Sequence, residues 1–215
     1  MLQALDGYYL SERDNMSKKI LFIGGSPCSG KSTAAELISK EYGAYYFKVD
    51  DHLGELIAAA AAQGKAACAG ISGLSADGNW LREPHIQCEE EFRIYGETAP
   101  FVFDKIEEIS AELIITEGAA YTPQVMKAYG AENYIAIVPS PEFQISHYRQ
   151  REWVKYVLAE CSDKEKAFDN WMQRDILFAQ QVKAECEKTG IPCMVNDGTK
   201  TVEELYQWVK TAFGL

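Results

Sequence analysis

Residues 18–32 read KKILFIGGSPCSGKS, and the fold turns on this stretch. KKILFIGG (Lys18 to Gly25) is a short run, apolar on both faces, that ends in glycines. That is the pattern of a strand buried inside a parallel sheet. From Ser32 to Tyr42 the apolar residues Ala34, Ala35, Leu37, Ile38 and Tyr42 recur at near-helical spacing, and Gly43 supplies a stop. Between strand and helix, GSPCSGKS (Gly25 to Ser32) fits the pattern G-x-x-x-x-G-K-[S/T]. The spacing has a mechanical reason. Glycines let consecutive amide groups turn inward around a phosphate chain, while the helix that begins near Lys31 aims its positive end at the same point.

The pattern assigns Gly25, Ser26, Pro27, Cys28, Ser29, Gly30, Lys31, Ser32 and Thr33 to a cradle for the phosphates of ATP. Lys31 would reach the β and γ oxygens, Ser32 would bind Mg²⁺ through its hydroxyl, and Thr33 would bond an α-phosphate oxygen. Four fixed positions match by accident in roughly one chain in a hundred of this length. The flanking strand and helix therefore carry the weight against the bland alternative, a glycine-rich turn with an exposed lysine.

Further along, YYFKVDD (Tyr45 to Asp51), ELIITEG (Glu112 to Gly118), NYIAIVPS (Asn133 to Ser140) and IPCMVNDG (Ile191 to Gly198) repeat the character of the first strand. Helical patterns separate them, including Phe168, Met172, Ala179, Val182 and Cys186, and later Val202, Leu205, Tyr206, Val209 and Phe213. Alternating strand and helix predicts an α/β fold, a parallel sheet covered on both faces. Residues 1–16 show no clear period and read as an N-terminal extension, which leaves residues 17–215 as a single domain. Within it, residues 54–111 exceed a normal connection and predict a helical insert with one mobile glycine-rich loop, a place where function concentrates.

Ligands of open α/β sheets bind beyond the carboxyl ends of the strands, so acids there are the next candidates. Asp50 and Asp51 end the second strand and Glu117 ends the third. A carboxylate near a γ-phosphate can accept the proton of an attacking hydroxyl or hold the metal side of the site. Asp50 is assigned as the base and Glu117 as the metal-side acid, with Asp51 beside the acceptor; strand-end solvation or helix capping is the alternative for each. After the fourth strand, SHYRQREW (Ser146 to Trp153) brings Arg149 and Arg151, with Arg174 further on. Guanidinium groups stabilise a moving phosphoryl group when a lid brings them in. Residues 141–180 are thus the lid region, with Arg149 placed ahead of Arg174. In the insert, Arg82 and Arg93 are candidates for contacts with the acceptor, whereas Glu89, Glu90 and Glu91 read as a solvated helix face. The turn Asp197 to Thr199 follows the fifth strand and offers Gly198 to the nucleotide.

Composition narrows the partners. Among 215 residues, 32 acids against 21 bases leave a formal charge of -11, which disfavours nucleic acid and anionic lipid as general partners. A local cradle still works, because salt screens distant charge beyond roughly 10 Å. Six cysteines form no CxxC pair and no zinc spacing, the signature of reduced cytoplasmic thiols. There is no apolar run long enough for a membrane span and no signal-peptide pattern at the start, so no membrane partner is expected. At this length roughly 70% of the unfolded surface can be buried, enough for a core without staples.

On these residues the sequence resembles a small P-loop kinase of the nucleoside and nucleotide kinase kind, within the P-loop NTPase superfamily, and is also similar to the chloramphenicol phosphotransferase and zeta-toxin groups. The resemblance covers about residues 18 to 213 by layout, and the P-loop is its specific part. VDD (Val49 to Asp51) is similar to the place where those kinases keep the acid that activates the acceptor hydroxyl, TEG (Thr116 to Gly118) to their third-strand acid, and Arg149 and Arg151 to their lid arginines. The resemblance implies a three-layer fold with a five-stranded parallel sheet in the order 2-3-1-4-5. It also implies use of ATP with Mg²⁺ and transfer of the γ-phosphoryl to a small acceptor, read here as a hydroxyl or phosphate of a nucleoside, nucleotide or similar alcohol. No residue set names that acceptor. Two other classes remain: a GTPase-like switch, for which DHLG (Asp51 to Gly54) is the string, without an NKxD motif after the fourth strand, and a nucleotide-binding regulator that transfers nothing.

Overall fold

In the computed structural model, residues 18–215 are described, and the expected extension at residues 1–16 lies outside them. The opening strand β1 (Lys19–Gly25) sits at the centre of the sheet, paired in parallel with β3 (Leu113–Glu117) on one side and β4 (Tyr134–Pro139) on the other. β2 (Tyr45–Lys48) adds to β3, and β5 (Cys193–Asn196) to β4. The order is β2-β3-β1-β4-β5, all parallel, as expected.

A parallel sheet must be covered on both faces, and alternation along the strands sorts the residues into two cores. Leu21, Ile23, Ile115, Ile135 and Ile137 face α1 (Lys31–Tyr42) and α10 (Val202–Phe213), which contribute Ala34, Ala35, Ile38, Val209 and Phe213. Their neighbours Phe22, Ile114, Ala136 and Val138 face the other way, toward α5 (Pro84–Glu107), α6 (Pro123–Tyr129) and α9 (Lys164–Thr189), which bring Val102, Phe103, Met126, Phe178 and Val182. Each large side chain buried this way stabilises the fold by about 1.5–3 kcal/mol relative to leaving it exposed.

Three local outcomes differ from the sequence pattern. First, strand β2 ends at Lys48 and Val49–Asp51 form a 3₁₀ turn, so Asp50 and Asp51 lie just past the strand. The cause is packing: Val49 is fully buried, its side chain filling the space where a Cβ on Gly118 would stand, 2.8 Å away. Second, the glycine-rich part of the insert is organised, between α2 (Leu53–Ala62) and α5, as α3 (Ala66–Ser72) and α4 (Ala76–Trp80). The α3 start is held by Glu97, which accepts from the amides of Ala67 and Cys68, and α4 is capped by Ser75 accepting from Gly78. Third, the predicted solvated face of α5 is only half so: Glu89 is exposed, but Glu91 is mostly covered, its side chain 14% exposed in an ion pair with Arg174. No helix among the described residues is long and apolar enough to cross a membrane, and all six cysteines are free.

After β4 come α7 (Pro141–Arg149) and the short α8 (Val154–Val157), which with the first half of α9 enclose a third apolar cluster of Tyr148, Val154, Leu158, Trp171 and Met172. Cys28 of the glycine-rich loop packs on its edge, so this lobe leans over the end of β1.

Candidate active site

The loop between β1 and α1 has a backbone that its glycines make possible. Gly25 sits at φ 116°, and a Cβ there would fall 1.9 Å from the carbonyl oxygen of Ile137. Gly30, at φ 94°, is the cap of α1 and uses no side chain to satisfy the helix amides. The first amides of α1 therefore stay available to an anion, with the helix dipole behind them. Cys28 is the sole non-glycine at positive φ among the described residues. The Lys31 side chain is buried and folds back so that Nζ donates to the carbonyl of Ser26 at 2.7 Å.

Longer-range bonds hold the loop in place. Ser26 Oγ donates to the backbone carbonyl of Asp175 on α9 at 3.3 Å. Asn196, at the end of β5, donates through Nδ2 to the Ser29 carbonyl at 3.0 Å and accepts from the amide of Gly198 at 3.1 Å. Gly198 itself, at φ 85° with Phe143 against it, stays outside the cleft lining, and its turn reaches the loop through Asn196.

A cleft of about 520 Å³ opens over this loop. Residues Pro27 to Thr33, Asp50, Asp51, Glu117 and Arg151 all line it, together with Lys48, Leu53, Tyr95, Tyr148, Trp153, Trp171 and Arg174. The two acids reached from different strands thus share one cavity with Lys31. Burial raises the Asp50 carboxyl above the usual carboxylate range, with Lys31 opposing that shift. Asp51 is more exposed and stands 3.9 Å from Lys48. Glu117 is almost fully buried and accepts, on the same Oε1, from Ser32 Oγ at 3.0 Å and from the Tyr46 hydroxyl at 2.9 Å. Burial, then the charge of Glu117, pushes the Tyr46 phenol far up, so it remains a donor.

The arginines divide. Arg151 lies in the cleft, its guanidinium 5.2 Å from the Tyr148 ring and 5.7 Å from the Trp153 ring. Arg149 turns to Phe168, 5.7 Å away, in a neighbouring surface cleft that it shares with Lys155 and Lys164 and that Arg151 also borders. Arg82 pairs with Glu90 at 2.6 Å and Arg93 with Glu89 at 3.5 Å, and neither lines the cleft. Arg174, ranked behind Arg149 on sequence, is inside it. Its Nε and Nη2 meet Asp175 Oδ1 at 2.8 and 2.6 Å, and its Nη1 meets Glu91 Oε2 at 2.9 Å. Burial works against the Arg174 charge, but Asp175 and then Glu91 outweigh it and hold the guanidinium protonated.

The aromatic wall went unpredicted. Tyr148 and Arg151, and likewise Trp171 and Arg174, are three residues apart, so a search for i, i+3 aromatic–arginine pairs along the lid would have found both. Tyr95 belongs to the insert expected to face the acceptor, whereas Lys48 carries no such signal and only the end of β2 brings it in.

The residues present fit a divalent cation in one particular way. No cluster of three or more His, Cys, Asp or Glu that could hold a metal exists among the described residues. Ser32 and Glu117 can offer two oxygens, the rest coming from phosphate and water, which is how Mg²⁺ is commonly held beside nucleotides.

Neither a protein-family model nor a curated protein matches the chain. Among solved structures it is similar to TT1252 from Thermus thermophilus, at 15% identity and a TM-score of 0.50, over 92% of this chain and 97% of that one. It is also similar to shikimate kinase from Bacteroides thetaiotaomicron, at 14% identity and a TM-score of 0.48, over 92% and 99% of the two chains. The likeness to TT1252 is one of fold.

Proposed function

We propose that this protein is an ATP-dependent phosphotransferase that moves the γ-phosphoryl group to a small-molecule acceptor. The observation that carries the reading is the sharing of one cleft by Lys31, Ser32, Asp50, Glu117 and Arg151. The resemblance of the loop, of VDD and of TEG to the small P-loop kinases supports it as well.

In this reading the amides of residues 25–33 and the N-terminus of α1 hold the triphosphate, and Lys31 leaves the Ser26 carbonyl to neutralise the β and γ oxygens. Asp50 orients the acceptor hydroxyl and takes its proton as the new O–P bond forms and the bond from the γ-phosphorus to the ADP oxygen breaks. Arg151 faces the charge that spreads over the moving group. Mg²⁺, held by Ser32 and Glu117 with the phosphates, would supply further charge neutralisation. Tyr46 and Ser32 keep Glu117 turned toward that position by their hydrogen bonds to Oε1. Most of the rate then comes from positioning and electrostatics.

The test is Lys31→Ala. ATP-dependent product formation from a panel of nucleosides, sugars and aromatic or amino alcohols should fall by about 10³-fold or more, with the thermal midpoint little changed. An unchanged rate would remove the reading.

A further inference from the structure

We infer that the acceptor side of the cleft selects a hydroxyl compound that carries no negative charge and presents a flat face, an uncharged or amine-bearing alcohol rather than a phosphorylated or carboxylated one. This rests on the phosphotransferase reading and narrows it.

The cations facing the cleft are already committed. Lys31 serves the phosphate loop, and Lys48 stands by Asp51. Arg174 resembles an anion receptor until its partners are counted: all three of its guanidinium nitrogens meet Asp175 or Glu91, and its face lies over the Trp80 ring at 5.3 Å. An incoming phosphate or carboxylate would have to displace the fully buried Asp175 and the mostly buried Glu91, a costly exchange because each would lose its cation. The two arginines of the insert, Arg82 and Arg93, are tied to Glu90 and Glu89 away from the cleft. Arg151 remains, and it sits at the phosphate loop beside Cys28, where the transferred group needs it.

The acids are less balanced. Among the described residues Asp50 has no ion pair, and one oxygen of Asp175, Oδ2, is buried with no hydrogen-bond partner. Arg174 with its two carboxylates carries one formal negative charge, and Asp50 adds another. Such a charge disfavours an anion and favours an ammonium group. The flat face follows from Trp153, which lines the cleft with 43% of its surface exposed, its ring 5.8 Å from that of the buried Trp171. A planar ring or a cation can rest there.

The inference is tested by binding, apart from transfer. Full-length protein is saturated with Mg²⁺ and a non-hydrolysable ATP analogue, so that the phosphate loop is filled, and is titrated with benzylamine, benzyl alcohol and benzoate. Tryptophan fluorescence reports binding, since Trp153 and Trp171 line the cleft. The expected order is benzylamine, then benzyl alcohol, with benzoate at least tenfold weaker than the alcohol. Glu91→Gln, which keeps an acceptor for the Tyr95 hydroxyl, should shrink the benzoate deficit by threefold or more; Asp175→Asn should do the same if the first variant folds poorly. Benzoate binding as tightly as the alcohol, or no saturable binding of any probe, overturns the inference. Loss of the analogue's own Lys31-dependent binding would instead strike the phosphotransferase reading.

Discussion

The two walls of the cleft are built in opposite ways. The wall we assign to phosphate is seven consecutive residues, Pro27 to Thr33, whose main-chain amides would do most of the holding beside the Lys31 and Ser32 side chains. The wall we propose for the acceptor is assembled from single side chains on the 3₁₀ turn after β2, on α5, on the loop after α7 and on α9. A contiguous loop depends on backbone conformation at one or two glycines; a wall of distant side chains depends on each partner's charge and packing. The first should break through a single added methyl group, and the second through loss of one charge.

The largest effect is expected at Gly25→Ala. A Cβ placed 1.9 Å from the Ile137 carbonyl at φ 116° must push β4 away, costing about 4 kcal/mol or more, read as a drop in the urea midpoint. Should that variant fold normally, the phosphate wall is not the rigid device described.

Asp50→Asn should lower turnover by about 10³-fold, since the acceptor proton loses its destination. The same change should raise stability. Because burial lifts the native Asp50 carboxyl above its unfolded value, with Lys31, Glu117, Lys48 and Asp51 as the surrounding charges, the native state binds its proton more tightly. The stability this group contributes is present below the usual carboxylate range and is lost as pH rises through the raised native value. Melting curves should therefore show the variant gaining on the wild type from about pH 4 upward. A gap that stays constant with pH would mean that Asp50 is not desolvated.

Arg174→Leu removes the cation between Glu91 and Asp175 and should cost about 3 kcal/mol at neutral pH. The loss should shrink in acid as the Glu91 carboxyl, raised by burial, takes up its proton. Smallest, and most selective, is the contrast between two arginines two residues apart. Arg151→Ala should lower turnover by about 10²-fold, whereas Arg149→Ala, which removes a guanidinium stacked on Phe168 outside the cleft, should leave turnover within about twofold. Equal losses would merge the two clefts into one functional unit.

The difference between the walls also explains what could be read beforehand. The strands, the α1 helix with its Gly43 stop and the phosphate loop are local patterns whose periodicity survives any tertiary arrangement. The acids Asp50 and Glu117 were legible because strand ends are where such sheets present ligands. Arg149, Arg82 and Arg93 were not separable from Arg151 and Arg174 on residue type, since a charge run says nothing about which side chain turns inward. Likewise Glu91 looks like its two exposed-seeming neighbours until α9 packs on α5 and brings Arg174 against it.

Sequence alone therefore determined the alternation of strand and helix and the backbone cradle, because each depends on residues within one turn or one strand of each other, whereas the centrality of β1 was implied only by the resemblance. Tertiary structure alone decided the short end of β2 forced by Val49 against Gly118, the covering of Glu91, the consumed charge of Arg174 and the ring wall beside it. Those features depend on side chains tens of residues apart competing for the same small volume, and that competition is settled by packing and desolvation.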